Sequence, residues 1–192
     1  MLIQFTPDFN LHIRRLHLIH RHSILGSPDK MATIYIIFGL LALFMVAQAY
    51  FTDRSPIPET SGKVYKIAEP AELEAVLKSH THVVVDFYAD WCPPCRAIAP
   101  VFSNLADTHA SKGHLAFAKV NTDHVKEVAV KYGISAMPTF VFFSGGVPKG
   151  VAVEGLQSSR SVNLTQDGFV DRVRGADRKA LEAVVKALAS KE

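Results

Sequence analysis

The chain has two cysteines, Cys92 and Cys95, within the run WCPPC at residues 91–95. Two thiols at this spacing, about one helical turn, can close on each other as a reversible disulfide. An apolar stretch at 83–89 precedes them and is typical of a buried strand. A strand ending here places the first thiol at a helix N-terminus, where unpaired backbone N–H groups stabilise a thiolate. The pattern therefore predicts electron-pair transfer through a dithiol.

Two other interpretations of the cysteine pair are weaker. Zinc sites use four Cys or His ligands at short paired spacings, but no second cysteine pair exists, and His80, His82 and His109 stand at no such spacing. A purely structural disulfide is disfavoured because a four-residue loop constrains the unfolded chain little. The preceding strand favours redox chemistry. We expect no metal and no bound cofactor, only the reversible Cys92–Cys95 disulfide.

The residues around the pair resemble the active-site segment of thioredoxins. The resemblance rests on DFYADWCPPCR at 86–96, on the Ala-Pro at 99–100, and on AMPTF at 136–140, which is similar to the family's cis-proline loop. It extends from about Val64 to Leu188 and departs from the family where Pro-Pro replaces the usual Gly-Pro. It implies an α/β thioredoxin fold, with a central mixed β-sheet flanked by helices.

The resemblance also implies residue roles in a protein-disulfide reductase. Cys92 is the nucleophile that attacks a substrate disulfide, and Cys95 is the resolving thiol that releases the reduced substrate. Asp86 is unusual within a hydrophobic strand, because a buried carboxylate costs several kcal/mol unless it is paired or protonated. The family makes Asp86 the proton acceptor for Cys95. A structural Asp86 paired with Lys119 is the alternative.

Substrate contacts and partners are implied in the same way. Trp91 flanks the nucleophile, and the loop at Met137 and Pro138 meets the substrate through its backbone. A proline that merely starts a strand is the alternative for Pro138. The expected partners are protein disulfide substrates and an electron donor of the thioredoxin-reductase type. Nucleic acid is excluded as a partner because the net charge is only +3 and no basic stripe interleaved with aromatics is present.

Two other functional classes remain open beside the reductase. One is a disulfide oxidase or isomerase, which an oxidising compartment would favour. The other is a non-catalytic adaptor that keeps the fold for docking. The intact cysteine pair, Asp86 and Pro138 together argue against the adaptor.

Residues 32–51 are twenty residues without a charge. As a helix they would span about 30 Å, the thickness of a bilayer core. We expect a basic leader at 1–30, a transmembrane or signal-anchor segment at 31–51, a linker at 52–62 and a thioredoxin domain at 63–192. The basic residues before the apolar run favour a cytoplasmic N-terminus. The expected location is a single-pass membrane protein of the secretory and endomembrane system or of the mitochondrial inner membrane.

Alternatives to a permanent anchor remain open. Ala-Gln-Ala at 47–49 resembles a signal-peptidase site, so cleavage near Ala49 would give a secreted form, with Met31 as the start of an ordinary signal peptide. A leader poor in acidic residues also fits a mitochondrial presequence and a soluble mitochondrial form. The sequon at Asn163 is diagnostic, because it is modified only in a secretory lumen.

Alternating strand and helix patterns fill the domain. An insert at about 150–166 has no counterpart in the family and is polar, so we expect a surface loop. A translated intron is an alternative hypothesis for this insert, which a transcript reading through the segment would contradict. The predicted strands are 64–67, 82–88, 115–120, 139–143 and 170–174, and the predicted helices begin at Pro70, Cys92, His124 and Asp177, with a kink at Pro100.

The proline at position 93 generates a prediction about redox tuning. Pro93 removes one backbone N–H that could stabilise the Cys92 thiolate, and it stiffens the turn. We therefore expect the wild type and Pro93→Gly to differ in reduction potential. Equilibration with glutathione buffers measures this, and equal potentials for the two proteins would contradict the prediction.

Overall fold

The computed structural model describes residues 28–51 and 53–190. They divide into two compact units, one ending at Thr52 and one beginning at Asp53. The predicted basic leader at 1–30 lies outside the described residues, apart from its last three positions.

Among the described residues, the first unit contains one helix of 24 residues, α1 (Pro28–Phe51). Its segment Lys30–Ala49 has a mean hydropathy of 2.1, and none of it is buried. Large apolar side chains such as Phe38 and Leu43 are exposed on the helix surface. Among the described residues, α1 is the one helix that is long and apolar enough to cross a bilayer.

The second unit is built on a seven-stranded mixed sheet with the order β1-β3-β2-β4-β7-β6, and β5 pairs with β4. Strands β1, β3 and β2 are parallel, and the other pairings are antiparallel. The strands are β1 (Val64–Ile67), β2 (His82–Tyr88), β3 (Leu115–Asn121), β4 (Thr139–Ser144), β5 (Val147–Pro148), β6 (Val162–Leu164) and β7 (Val170–Arg174), and the helices are α2 (Pro70–Ser79), α3 (Pro93–His109), α4 (Lys126–Lys131) and α5 (Arg178–Ala189).

Two hydrophobic cores cover the two faces of the sheet. One core joins α3 and α5 to the sheet through residues such as Phe102 and Leu181, and it contains Val84 of β2. The other core joins α2 and α4 to the sheet and contains Val85 of β2. Because side chains alternate along a strand, Asp86 lies on the Val84 face of the sheet, toward α3.

The start of α4 differs from the sequence prediction. The sequence predicts a helix beginning at His124, which would make Asp123 its N-cap, but α4 begins at Lys126, and Val125 precedes it without a side-chain cap. The carboxylate of Asp123 instead accepts a hydrogen bond from the indole N–H of Trp91. A tertiary partner has therefore replaced the expected local cap.

The predicted surface loop at 150–166 is partly wrong. It contributes the edge strand β6, which pairs with β7, and a bridge between Val151 and Val170. Val151 and Val162 are buried in the core on the α3 face. Two valines in a polar stretch do not form the alternating pattern of a strand, so β6 is recognised only from its pairing with β7.

The predicted linker also differs from the structure. Residues 53–61, called the strap below, belong to the second unit and lie against it. Ile57 and Ser61 of the strap are buried. The polar residues that predicted a linker instead form hydrogen bonds to the rest of the domain.

Candidate active site

Cys92 and Cys95 form a disulfide at the start of α3, just after the end of β2, and their Cα atoms are 5.3 Å apart. Strand β2 ends at Tyr88, a short turn follows, and Cys92 is the N-cap of α3. Both cysteines are buried and pack with Ala89 and Ile57. The spacing predicted from the sequence therefore corresponds to a closed disulfide at a helix N-terminus.

The two prolines of the motif shape this helix terminus. Pro93 and Pro94 occupy the first two positions of α3 and have no N–H group to offer. The backbone N–H of Cys95 donates to Sγ of Cys92 at 3.2 Å. A thiolate formed at Cys92 on reduction is therefore stabilised by this one N–H and by the helix dipole.

The loop at 136–138 lies beside the disulfide. The Met137–Pro138 peptide bond is cis, as the resemblance implies. Met137 is half-buried and packs against the cluster that contains both cysteines. The backbone N–H of Gly175 donates to the carbonyl oxygen of Pro138 at 2.7 Å, which ties the loop to the end of β7.

The side chain of Trp91 is exposed, at 43%. Its indole N–H donates to Oδ2 of Asp123 at 2.8 Å. This bond fixes the ring beside the active-site turn while leaving much of its surface open to a partner protein.

Asp86 is buried behind the disulfide. Among the described side chains, its Oδ1 atom is one of two buried polar atoms without a hydrogen-bond partner. It lines a cavity of about 10 Å³ together with Cys95 and Lys119, which is the room of about one water molecule. Burial raises the pKa of Asp86 to about 7; Lys119 opposes the rise, and Glu59 adds to it.

Lys119 pairs with a residue that the sequence did not single out. Its Cα is in register with that of Asp86 across β2 and β3, yet its Nζ atom lies 2.9 Å from Oε2 of Glu59 in the strap. The sequence alternative, Asp86 paired with Lys119, is therefore not the ion pair that the structure contains. No local signal marked Glu59, an acidic residue in a stretch that resembled a linker.

The strap runs along α3 in the same direction as the helix. Near the end of α3, Ser61 donates to Oδ1 of Asp107 at 2.7 Å. Near its start, Ile57 packs against the two cysteines and its N–H donates to Oδ1 of Asp90 at 3.0 Å. Both ends of the redox helix are thus held by residues that precede β1.

Comparisons with known proteins agree with this geometry. The thioredoxin family model matches residues 64–167. A thioredoxin-like protein of Fusarium culmorum is 48% identical over 125 residues, which are 65% of this chain and 90% of the relative. A thioredoxin of Neurospora crassa is 50% identical over 119 residues, covering 62% of this chain and 87% of that protein.

Solved structures give the same result. The crystal structure of a thioredoxin of Malassezia sympodialis matches with a TM-score of 0.52 at 33% identity, covering 67% of this chain and 93% of that one. A reduced thioredoxin pre-protein of Schistosoma mansoni matches with a TM-score of 0.51 at 31% identity, covering 66% and 99%. The matches span nearly all of each of these two relatives.

The buried carboxyl group makes stability depend on pH. Between its ordinary pKa of 3.8 and about 7, Asp86 keeps a proton in the folded protein that the unfolded chain releases. The contribution of this group to the free energy of unfolding is therefore fully present below pH 3.8 and is lost as the pH rises to about 7.

We expect Asp86→Asn to match the wild type in stability near pH 4 and to exceed it at pH 8. The gain should reach a few kcal/mol, on the order of 1.4 kcal/mol per pH unit of the window. Urea unfolding of the oxidised full chain in detergent micelles, followed by the fluorescence of Trp91, the single tryptophan, measures this. The exposed Asp167→Asn is the matched control, and a gain that does not change with pH would contradict the prediction.

Proposed function

The chain belongs to the thioredoxin family and is a thiol–disulfide oxidoreductase that reduces protein disulfides, and from this premise we propose that it works as a membrane-anchored reductase. In this proposal Cys92 is the nucleophile, Cys95 is the resolving thiol and Asp86 is the proton acceptor. The single observation that carries the assignment is the arrangement around α3. One face of the disulfide meets the cis-proline loop, and a buried carboxyl group lies behind it.

The first step is attack of the Cys92 thiolate on a substrate disulfide. A bond forms between Sγ of Cys92 and one substrate sulfur, the substrate S–S bond breaks, and the leaving thiolate takes a proton from solvent. The position of Cys92 at the N-terminus of α3 supports this role, because the helix dipole and the Cys95 N–H stabilise a thiolate there.

The second step resolves the mixed disulfide. The thiol proton of Cys95 moves to the Asp86 carboxylate, and the Cys95 thiolate attacks Sγ of Cys92. The intramolecular disulfide forms again, the bond between Cys92 and the substrate breaks, and the second substrate sulfur leaves as a thiolate that takes a proton from solvent. A pKa of about 7 supports Asp86 in this role, since a base with a pKa near the working pH transfers protons most effectively. The shared cavity is large enough for one water molecule to carry the proton.

Substrate binding is proposed at the surface around the disulfide. The exposed ring of Trp91 and the backbone at Met137 and Pro138 would receive the chain that flanks a substrate disulfide. Trp91 directly precedes Cys92, and Met137 packs against the cluster that contains both cysteines, which supports this assignment.

The electron source and the cofactor requirement follow from the same chemistry. Each turnover leaves the Cys92–Cys95 disulfide oxidised, so a partner must return two electrons. We assign this partner to the thioredoxin-reductase type, as the family implies, and we assign no bound cofactor to the chain itself.

Membrane attachment is the part of the proposal that rests on α1. A helix of this length that is apolar on all its faces is typical of a bilayer span. We propose a single-pass anchor in the secretory and endomembrane system or in the mitochondrial inner membrane. An oxidising lumen would favour oxidase or isomerase activity toward client proteins over reduction.

The cysteine roles predict different behaviour for two serine variants. Cys95→Ser should attack a disulfide substrate and accumulate a mixed disulfide, because no thiol remains to resolve it. Cys92→Ser should form none, and both variants should reduce insulin only at the background rate of the added thiol. Non-reducing gels and an insulin turbidity assay measure this. A mixed disulfide that accumulates with Cys92→Ser would reverse the two assignments.

The anchor predicts resistance to carbonate extraction. We expect the full chain, expressed in a eukaryotic cell with a C-terminal tag, to stay in the carbonate-insoluble membrane fraction. The same chain without residues 28–51 should be released. Release of the full chain would contradict the anchor.

The same samples report the compartment through Asn163. A mobility shift with endoglycosidase that is absent in Asn163→Gln would indicate a secretory lumen and favour oxidation or isomerisation of clients. A membrane-bound form without glycan favours a reductase facing the cytosol or an organelle and supplied by a reductase partner.

A further inference from the structure

The strap is a feature of this chain outside the family core. The family model begins at Val64, whereas the strap comprises residues 53–61. It nevertheless delivers a side chain to the interior behind the disulfide. That side chain is Glu59, which lines the same small cavity as Asp86 and Cys95.

The carboxylate of Glu59 is held by three donors. Its Oε2 atom binds the Lys119 ammonium at 2.9 Å, and both side chains are only 6% exposed. Its Oε1 atom accepts hydrogen bonds from the hydroxyl of Ser103 on α3 and, at 3.0 Å, from the backbone N–H of Ser61. Burial by itself would raise the pKa of Glu59, but the bonds from Ser103, Lys119 and Ser61 keep it below its ordinary value.

Two carboxyl groups therefore face one ammonium group. Glu59 is bonded to Lys119 directly, while Asp86 interacts with Lys119 only through space. Two like charges that share a site cannot both ionise without a large cost. Because Glu59 keeps its negative charge, it disfavours ionisation of Asp86 and raises the pKa of that carboxyl group.

We propose that Glu59 is a positioning residue for thiol–disulfide exchange, which holds the Lys119 ammonium in an ion pair and thereby keeps it from pairing directly with the Asp86 carboxyl group at the back of the Cys92–Cys95 disulfide. The proposal rests on the function proposed above, in which Asp86 takes the proton of Cys95. It adds that this acid–base group is tuned by a segment preceding the family core.

The groups facing Asp86 come from four elements. Glu59 comes from the strap, Lys119 from β3, Cys95 from α3 and Tyr88 from Asp86's own strand β2. Tyr88 is not a competing acid near neutral pH, because burial, with Asp90 and Asp86, raises its pKa to about 12. The Lys119 ammonium also lies 5.3 Å from the centre of the Tyr88 ring. Burial is the main cause of the raised pKa of Asp86, and Lys119 and Glu59 are the charged groups that act on it.

The direct test is the titration of Asp86 in the oxidised full chain, where the cysteines do not titrate. The protein is labelled with ¹³C at the aspartate carboxyl carbon, held in detergent micelles and followed by NMR from pH 4 to pH 9. We expect Glu59→Gln to lower the titration midpoint of Asp86 on the order of one pH unit, since Lys119 is then free to stabilise the Asp86 carboxylate.

The matched control removes another contact of the strap without changing the charge at Lys119. Asp107→Asn alters the Ser61 contact at the far end of α3 and should leave the Asp86 midpoint unchanged. A midpoint in Glu59→Gln that equals that of the wild type, or an equal fall in Asp107→Asn, would overturn the proposal. The second result would mean that packing of the strap, and not the Glu59 charge, acts on Asp86.

A double variant keeps the proposal testable if the single variant does not fold. Glu59→Gln with Lys119→Gln removes both charges and leaves two side chains that can hydrogen-bond each other. Both charges are then absent while burial remains, so the Asp86 midpoint should not fall below that of the wild type. A double-variant midpoint well below that of the wild type would contradict the tuning by Lys119 and Glu59.

Kinetic measurements distinguish a failure of this inference from a failure of the proposed function on which it rests. In Glu59→Gln the pH profile of kcat for insulin reduction should move to lower pH, with KM unchanged. If Asp86→Asn leaves the wild-type pH profile unaltered, the proton-acceptor role of Asp86 fails, whatever the NMR titration shows. If Asp86→Asn abolishes the pH dependence and Glu59→Gln does not move it, the inference about Glu59 fails alone.

Discussion

The arrangement of the active site depends on one constraint, a carboxyl group buried in the hydrophobic interior behind the disulfide. Asp86 occupies the middle of β2, where both neighbours along the strand are apolar and face the opposite core. A charge there is costly, so the surrounding groups decide whether the carboxyl is ionised. Lys119 and Glu59 reach it from different parts of the chain, and Cys95 meets it from α3. The chemistry of the thiol pair is thus coupled to the packing of three elements.

The N-terminus of α3 is the second determinant of reactivity. A helix beginning with two prolines has fewer N–H groups to offer to a thiolate than one beginning with ordinary residues. Here the N–H of Cys95 points to Sγ of Cys92, so much of the local stabilisation comes from the resolving cysteine's own backbone. The strap holds the same helix through Asp90 at its start and Asp107 near its end. The strap, which precedes the family core, thus adds to the core packing that positions α3 relative to Asp86.

Two segments extend that core, and both are polar in composition. The insert adds β6 to the edge of the sheet and buries Val151 and Val162. The strap buries Ile57 and pairs Glu59 with Lys119. Neither has a period of two or of 3.6 residues, because each makes only a few apolar contacts and is held otherwise by hydrogen bonds to elements that are already formed. Pattern analysis assigned one to a loop and the other to a linker for that reason.

The sequence by itself determined the parts of this protein whose causes are local. The apolar run of β2 and the cysteine pair one turn apart depend on neighbouring residues, and they were sufficient to predict the dithiol chemistry. Together with the loop at Pro138 they carry the resemblance to thioredoxins, which implied the fold. Only the tertiary structure decided which carboxylate pairs with the Lys119 ammonium. Glu59, the partner, is also bound by Ser103, which lies 44 residues away in the chain. No local sequence pattern relates these residues. A buried charged group pairs with the oppositely charged group that the folded chain places beside it, and for Lys119 that group is Glu59.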